Sequence, residues 1–471
     1  MEIQSHRFKE TARAALRDPE LKIALNRTTG LLKSRRAEAY RNFPPFEHCR
    51  DLAARIKAHT IRHLDHYLEQ FEERAIASGA VVHWASTAEE ASRITVDICK
   101  RADAKSVTRV KSMLGEEIGL PDALRDAGIE RIETDLAEHI IQLANERPSH
   151  IVIPAMHKTR EQVSRLFADH HAHHRHIEDV TELVESARQE LRQKYVDADV
   201  GISGANFLIA ETGSVCTVTN EGNAELTVQL PRVQIVTAGI DKIVPTMEHA
   251  TVLLRLLARS ALGTDFTQYT TFINGPKRDR EIDGPEQLHI VLVDNHRTDM
   301  IGSELQPMLR CIRCAACINH CPVYGVIGGH AYGAVYQGPM GSVLTPAMHS
   351  LERTKNLPSA CTLNGRCQEV CPVKIPLPEL MRGFRVKSWR QQLVDKPTRY
   401  GMGLWALFAR YPTLYRLGTS LALTGLRLLR GQRTRLRSVP LAEGWTRSRD
   451  LPPLPARSFF SQYAGSKKTS A

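Results

Sequence analysis

The 471-residue chain contains no run of 18 or more uncharged apolar residues, so no segment is expected to cross a membrane as a helix. It opens Met1-Glu-Ile-Gln-Ser-His-Arg-Phe-Lys9 without an apolar h-region, which excludes an ordinary secretory signal. A cytoplasmic location with reduced thiols is the expectation. No G-x-G-x-x-G follows a strand-like run and no G-x-x-x-x-G-K-[ST] occurs, so no NAD, FAD or ATP motif is present. Acidic residues nearly vanish at one end. From Leu380 to Ala471 there are 18 Lys or Arg against 3 Asp or Glu, a balance of +15 in a chain whose total is +11, which leaves −4 for the first 379 residues. The whole chain is 42% hydrophobic and 24% charged, the composition of a globular protein, and its length calls for two or three domains.

Of ten cysteines, seven fall between Cys311 and Cys371, and such clustering in a reducing compartment reads as metal ligation. The first group, Cys311-Ile-Arg-Cys314-Ala-Ala-Cys317-Ile-Asn-His-Cys321-Pro322, is the C-x2-C-x2-C-x3-C-P run of ferredoxins. Two-residue gaps aim successive thiolates at one centre; the three-residue gap turns Cys321 toward a second one. A tetrahedral zinc site does not call for that third spacing. Cys49, Cys99 and Cys216, by contrast, read as buried small apolar residues.

The second group, Cys361-Thr-Leu-Asn-Gly-Arg-Cys367-Gln-Glu-Val-Cys371-Pro372, has Asn364 where a middle cysteine would stand. It resembles the second cluster motif of the succinate dehydrogenase and fumarate reductase iron–sulfur subunits, in which the missing cysteine leaves a 3Fe–4S centre. Carried over by position, Cys311, Cys314, Cys317 and Cys371 hold a 4Fe–4S cluster, and Cys321, Cys361 and Cys367 hold the other. Either a 3Fe–4S centre or a 4Fe–4S centre completed by water or Asn364 fits the second set. Between the groups, Gly328-Gly-His-Ala-Tyr-Gly333 and Gln337-Gly-Pro-Met-Gly341 suit either a close backbone approach to a cluster or an ordinary glycine-rich loop. His330 and Tyr332 read as packing residues, with tuning of potential or proton transfer as the alternative.

Upstream, apolar residues from Leu52 to Ala75 at three- and four-residue steps predict one long helix over 50–78, closed by Gly79. Strand-like Ala80–Trp84 follows, then Thr87-Ala-Glu-Glu90, a capping box that opens a helix through Ile98. Further strands are expected at Ser106–Val110, Ile129–Ile132, His150–Ile153, Val215–Thr219, Val233–Thr237 and His289–Val293. The alternation predicts an α/β domain with a largely parallel sheet over roughly 50–300. Gly201-Ile-Ser-Gly-Ala-Asn206, Ala210-Glu-Thr-Gly-Ser-Val215 and Thr219-Asn-Glu-Gly-Asn223 read as loops at a sheet edge, where ligands bind. Glu211, Thr212, Asn220, Glu221 and Asn223 are the candidate ligand residues, set against plain turn and cap roles. The five histidines of Asp169–His176 read as a solvated helix end, since adjacent pairs on a helix do not point at one metal.

Beyond Pro378 the chain reads as basic Leu- and Arg-rich helices, 401–410 and 417–430. Their uncharged runs of ten residues are too short to span a bilayer, yet they suit an interface or a partner helix. Protein contact is favoured over a membrane surface, where Arg427, Arg430, Arg433, Arg435 and Arg437 would face anionic lipid, and nucleic acid is the least favoured partner. Ser438–Ala471, with Lys467-Lys468, reads as an extended or disordered end.

Both cysteine groups, with Gly201-Ile-Ser-Gly-Ala, Ala210-Glu-Thr-Gly-Ser, Thr219-Asn-Glu-Gly-Asn, Gly328-Gly-His-Ala-Tyr-Gly, Gly338-Pro-Met-Gly and Cys371-Pro-Val-Lys-Ile-Pro, resemble the L-lactate utilisation iron–sulfur protein B family (LutB) across about 50–460. The resemblance implies four parts: an N-terminal helical extension over 1–49, an α/β lactate-utilisation (LUD) domain of CoA-transferase and ribose-phosphate-isomerase type over 50–300, an α-helical ferredoxin domain over 301–385, and a basic helical C-terminal region over 386–471. It implies an electron-transfer subunit, acting with two companion proteins, that helps oxidise L-lactate to pyruvate and passes electrons toward a quinone or another acceptor, in the cytoplasm or peripherally on the inner membrane face. Many relatives carry cysteine at the position of Asn364, so a second 4Fe–4S cluster is in question here and Cys361 becomes the substitute ligand. Two alternatives stand beside this one. An acyl- or CoA-transferase would use Glu221 as nucleophile, and an iron–sulfur redox sensor would bind nucleic acid through the tail.

Overall fold

The computed structural model describes residues 3–430 together with 435, 436, 438, 439, 442, 446, 449–456, 458–460, 462 and 463. Arg433, Arg437 and the Lys467-Lys468 pair lie outside the described residues. The chain divides into two compact units, Met1–Ser388 and Trp389–Ala471.

In the first unit, ten strands are found among the described residues: β1 (Val81–Ala85), β2 (Ser106–Arg109), β3 (Glu130–Glu133), β4 (Val200–Gly204), β5 (Phe207–Ile209), β6 (Ser214–Thr219), β7 (Val233–Gly239), β8 (Ile243–Val244), β9 (Tyr269–Ile273) and β10 (Gln287–Val293). Six of them form a sheet in the order β1-β10-β7-β4-β2-β3, parallel at every pairing. Helices 88–101 and 120–126 pack on it through Ile98 and Leu120, against Val107, Val200, Ile235 and Val291. Parallel strands covered on both faces are buried along their length, as β7 is throughout. The expected α/β domain with a parallel sheet is what forms.

The expected strand Val215–Thr219 forms, within β6, in a second, mixed sheet of order β8-β5-β6-β9. Three local expectations fail, each for a physical reason. Residues His150–Ile153 are not a strand: buried His150 Nδ1 accepts from the amides of Val152 and Ile153 at 3.1 and 3.0 Å, donors a ladder would need. The helix expected over 50–78 is two, Phe46–Arg62 and Leu64–Ala77, broken at His63 with φ −119° and ψ 41°. In the capping box, Thr87 Oγ1 does accept from Glu90 N, but the Glu90 carboxylate reaches back to Ser86 N at 2.8 Å instead of Thr87 N.

The segment Gly201–Gly204 is likewise a buried strand, not an edge loop. Glycine and serine are poor strand formers, and here closeness outweighs propensity. A Cβ on Gly201 would lie 1.9 Å from the Thr227 carbonyl oxygen, because the helix Asn223–Gln229 crosses β4 directly above it. Gly201→Ala is therefore expected to destabilise the first unit by about 1–3 kcal/mol through overpacking. A thermal midpoint equal to wild type would contradict that close crossing.

The histidine tract starts on a helix end as expected: the helix Arg160–His170 closes inside it, and His170, His174 and His176 are exposed. His171 departs from that reading, being buried and stacked on Phe167, with its ring nitrogens toward His139 and the Ser186 hydroxyl. Cys99 and Cys216 are buried as expected, while Cys49 is half-buried.

The second unit contains helices Lys396–Arg410 and Pro412–Arg430. Asp395 caps the first by accepting from Thr398 N, and Pro412 starts the second, a position where its missing N–H costs nothing. Neither helix buries a residue; Leu404, Trp405, Leu417 and Leu421 are all more than half exposed. Within the stretch expected to be extended, the Pro455 and Ala456 carbonyls accept from Arg427 Nη2 at 2.7 and 2.8 Å.

Candidate functional site

The two cysteine groups fold as a repeat offset by 50 residues. Arg313 and Ala315 have left-handed φ of 59° and 61°; Leu363 and Gly365, at the matching places, have 55° and 82°. In each group the left-handed residue precedes a one-turn helix, Ala316–Asn319 or Arg366–Glu369, that presents Cys317 or Cys367. Left-handed non-glycine backbone is strained and persists where surroundings demand it.

The thiols gather in two neighbouring places. Cys311, Cys314, Cys317 and Cys371 line one small cavity whose remaining wall includes Met340, Val373 and Ile375. Cys321, Cys361 and Cys367 lie within electrostatic reach of one another, and Cys317 lies within reach of Cys367, so the two groups adjoin. Backbone amides point at sulfur: Ile375 N to Cys371 Sγ at 3.4 Å, Tyr324 N to Cys321 Sγ at 3.5 Å and Leu363 N to Cys361 Sγ at 3.3 Å. The buried Tyr332 hydroxyl hydrogen-bonds Cys321. Burial and neighbouring thiols push Cys314 and Cys367 up to about 12. Converging buried thiols that are poor acids by themselves, with amides already aimed at sulfur, suit clusters whose iron would hold them as thiolates.

The loops that carry the two sets differ in exposure. Cys314 and Cys317 are buried, whereas Thr362, Leu363, Asn364 and Arg366 are exposed. Asn364 occupies the place of Cys314 in the repeat, and its Oδ1 accepts from Arg366 N at 3.2 Å. The N-terminal helices brace this region. Arg36 donates to the Val370 carbonyl at 3.1 Å, and Arg50 Nη2 donates to the Glu369 and Cys371 carbonyls, both at 2.7 Å. Sequence reading missed these arginines, since a lone basic residue on an amphipathic helix carries no signal of its partner.

The glycine-rich loop turns out to serve packing. A Cβ on Gly329 would lie 1.8 Å from the Ser149 carbonyl oxygen. His330 Nε2 is engaged by the Arg147 carbonyl at 2.7 Å. His330, His157 and Glu146 bring their ligand atoms within 4.8 Å of one another. Each is already occupied, though: His157 bonds Glu146 and Ser149, both at 2.7 Å, and Lys158 takes the other Glu146 oxygen.

A cavity of about 580 Å³ opens at the C-terminal ends of β4 and β7, the end of a parallel sheet where ligands bind. It reaches from Asn220, Glu221 and Asn223 across Lys111 and Lys242 to Arg313 and Cys314. Glu221 and Asn220 are exposed at its rim, while Asn223 is buried. Glu211 and Thr212 do not line it. They sit in the β5–β6 turn, where Glu211 accepts from Met247 N at 3.1 Å and Thr212 donates to the Ser214 hydroxyl at 2.8 Å. Burial works against charge on Lys111, but Asp135, Glu138 and Glu221 outweigh it and hold the ammonium above its ordinary value. Burial, aided by Arg313, brings Lys242 down to about 8 against the pull of Asp241.

Beneath the cavity runs a buried ionic network. Arg297 donates to Asp241 at 2.7 Å and to both Glu117 oxygens at 2.9 and 3.0 Å. Tyr336 donates to Glu117 at 2.5 Å, and the Arg313 guanidinium lies 4.8 Å from the Tyr336 ring centroid and 3.5 Å from Asp241. Lys57 donates to the Asp241 and Ile243 carbonyls at 2.6 and 3.1 Å. The network thus ties the end of the parallel sheet to the first cysteine loop.

A parallel α/β domain followed by paired cysteine loops defines the chain as a LUD-domain iron–sulfur protein. Residues 68–293 match the LUD domain and residues 307–375 the 4Fe-4S dicluster domain. Lactate utilization protein B from Bacillus cereus (strain B4264) is 39% identical over 472 residues, covering 99% of each chain. The protein of the same name from Bacillus thuringiensis (strain Al Hakam) matches to the same extent. The chain belongs to the Lactate utilization protein B family. A solved DUF162 family protein from Deinococcus radiodurans, 17% identical, covers 49% of this chain and 98% of its own at a TM-score of 0.28, too loose a superposition to speak to the fold.

Proposed function

We propose that this chain is the iron–sulfur electron-transfer subunit of an assembly that oxidises L-lactate to pyruvate, working with two companion subunits and delivering electrons toward a quinone or another acceptor. The observation that carries this is the gathering of seven cysteines, each buried or half-buried, into two adjoining sets, the first beside a ligand-sized cavity. Cys311, Cys314, Cys317 and Cys371 would hold a 4Fe–4S cluster; Cys321, Cys361 and Cys367 would hold a second cluster. When bound, such clusters supply one-electron storage at potentials set by charge, hydrogen bonds and exposure. The chain's own part is to aim the amides of Ile375, Tyr324 and Leu363 at sulfur, to place Arg313 beside the first set and to keep that set dry. The domain limits we assign are 1–49, 50–300, 301–385 and 386–471.

Low-temperature EPR on the anaerobically purified chain, alone and with its companions, tests the role. Reduction by L-lactate only in the assembled complex supports an electron-transfer subunit; clusters that dithionite reduces but lactate never does would refute it. For the second set we assign a 3Fe–4S centre, because Asn364 spends its carboxamide oxygen on Arg366 N. Asn364→Cys is then expected to replace the signal of an oxidised three-iron centre with that of a reduced 4Fe–4S cluster. An unchanged spectrum would mean that a non-cysteine ligand already completes a cubane.

We assign to the exposed apolar faces of helices 396–410 and 412–430 contact with a companion subunit, the protein being cytoplasmic. Between Lys396 and Arg430 these helices carry basic residues and no acidic one, so an anionic membrane surface is the rival partner. Each arginine near such a surface contributes about 1 kcal/mol, so replacing Arg399, Arg410 and Arg416 by Gln would weaken binding to anionic vesicles by roughly two orders of magnitude. No vesicle binding by wild type, with the companions still bound, is the outcome expected from protein contact.

A further inference from the structure

A second cavity, of about 750 Å³, carries Glu146, His157 and His330 on its wall. One Glu146 carboxylate oxygen and one ring nitrogen from each histidine lie within 4.8 Å of one another. Two imidazoles and one carboxylate are the donor set of open zinc sites. The hydrogen bonds these residues already make fall, with one exception, on atoms a metal ion would not need. His330 Nε2 donates to the Arg147 carbonyl at 2.7 Å, so Nδ1 holds the lone pair of the neutral ring. Ser149 gives its hydroxyl proton to the Pro154 carbonyl at 2.9 Å. It therefore accepts from His157 Nδ1 at 2.7 Å, which leaves Nε2 to bind. Lys158 takes Glu146 Oε1 and leaves Oε2. Metal-binding histidines ordinarily have their second nitrogen fixed on an oxygen in this way. The exception is the bond between His157 Nε2 and Glu146 Oε2 at 2.7 Å. It holds one proton, which the ion would replace. The two atoms would then stand roughly 3.3 Å apart, as metal bonds near 2 Å at a tetrahedral angle require. On the same wall Asp18 and Glu20 match the charges of Arg147 and Lys158.

We propose that Glu146, His157 and His330 bind a divalent transition-metal ion through Oε2, Nε2 and Nδ1, with a further position left to water from the cavity. Imidazole ligands select against magnesium and calcium, which take oxygen. Zinc binds such a set more tightly than iron(II) does, and it is the best match. The ion would fasten Gly328–Gly333, between the two cysteine groups, to residues 146–157 of the LUD domain. The two segments already meet there, since Tyr324 donates to the Ser149 carbonyl at 2.8 Å and Gln337 Nε2 to the Pro148 carbonyl at 3.1 Å. This site does not depend on the lactate-oxidising reading.

The test is titration of the full-length, cluster-loaded chain with zinc chloride against a chromophoric zinc chelator, followed by zinc X-ray absorption on the loaded sample. A single zinc equivalent is expected, with nitrogen and oxygen ligands at about 2.0–2.1 Å and no sulfur at about 2.3 Å. His330→Gln keeps a donor for the Arg147 carbonyl but removes the ring nitrogen, and should weaken zinc binding by more than about 100-fold. Glu146→Gln, at an exposed position, gives a second measure should His330→Gln fold poorly. Ser149→Ala leaves all three ligands in place and should cost about ten-fold, because His157 loses the oxygen that orients it. Iron content and cluster EPR should match wild type in each variant. A zinc–sulfur shell would overturn the proposal, since the ion would then sit among the cysteines. So would the absence of a zinc equivalent, or an affinity that neither His330→Gln nor Glu146→Gln lowers. Magnesium in large excess should leave zinc bound; displacement by magnesium would count against a histidine site.

Discussion

Cys317→Ser is expected to cost the chain roughly half of its iron and all lactate-dependent reduction of the assembled complex. The side chain sits in the one-turn helix Ala316–Asn319 and is buried among Cys311, Cys314 and Cys371, with Cys367 also in reach. A serine there offers a harder and far less acidic ligand, with no route for the loop to supply another thiol. The strained backbone at Arg313 and Ala315 would then lose the centre it curls around, so a fall in thermal stability should accompany the loss of iron. Iron analysis and EPR separate this from general misfolding, because Cys321, Cys361 and Cys367 are a distinct set whose signal should persist. Cys49→Ser is the control: Cys49 is half-buried and outside both sets, and its loss should leave iron content unchanged. Turnover at the wild-type rate in the Cys317 variant would sink the proposed role.

Legibility in the sequence followed the range of the signal. The C-x2-C-x2-C-x3-C-P spacing is local chemistry, readable without the fold. The parallel sheet was readable because buried strands such as Val233–Gly239 are nearly continuous apolar runs. Gly201–Gly204 was not, since room for the helix 223–229 lying across it is what selects glycine there, through the Gly201–Thr227 contact 26 residues apart in sequence. Asn220, Glu221 and Asn223 were found by their density of turn-forming types and do reach the cavity, whereas Glu211 and Thr212 share that composition and serve a turn and a helix start. The cavity's cationic side was invisible beforehand. Lys111, Lys242, Arg297 and Arg313 come from four separate elements, and only the folded sheet brings them to one place.

Arg297→Met is expected to destabilise the first unit by about 3–5 kcal/mol, because it strands two buried carboxylates. In the wild type, burial opposes the charge on Glu117 and Asp241, yet Arg297, with Arg313 on Asp241, outweighs it and holds both carboxyls below the usual range. Such depressed groups contribute stability that is complete above their unfolded values of about 4 and is lost only as pH falls through the lower folded ones. Without the guanidinium, burial dominates Glu117 and pushes its carboxyl upward instead. The sign of the linkage then reverses. A group with a raised folded value favours the native state at low pH and penalises it as pH climbs past about 4. Thermal midpoints should therefore stay level from pH 5 to 6 in wild type and fall over the same interval in the variant. Adding Glu117→Gln to Arg297→Met should restore part of the loss and flatten the slope, because a neutral amide can stay buried on the Tyr336 hydroxyl and the Asn295 amide that already donate to Glu117. Parallel pH profiles for wild type and variant would show that this network is hydrated and that the tie between the sheet and the first cysteine loop lies elsewhere.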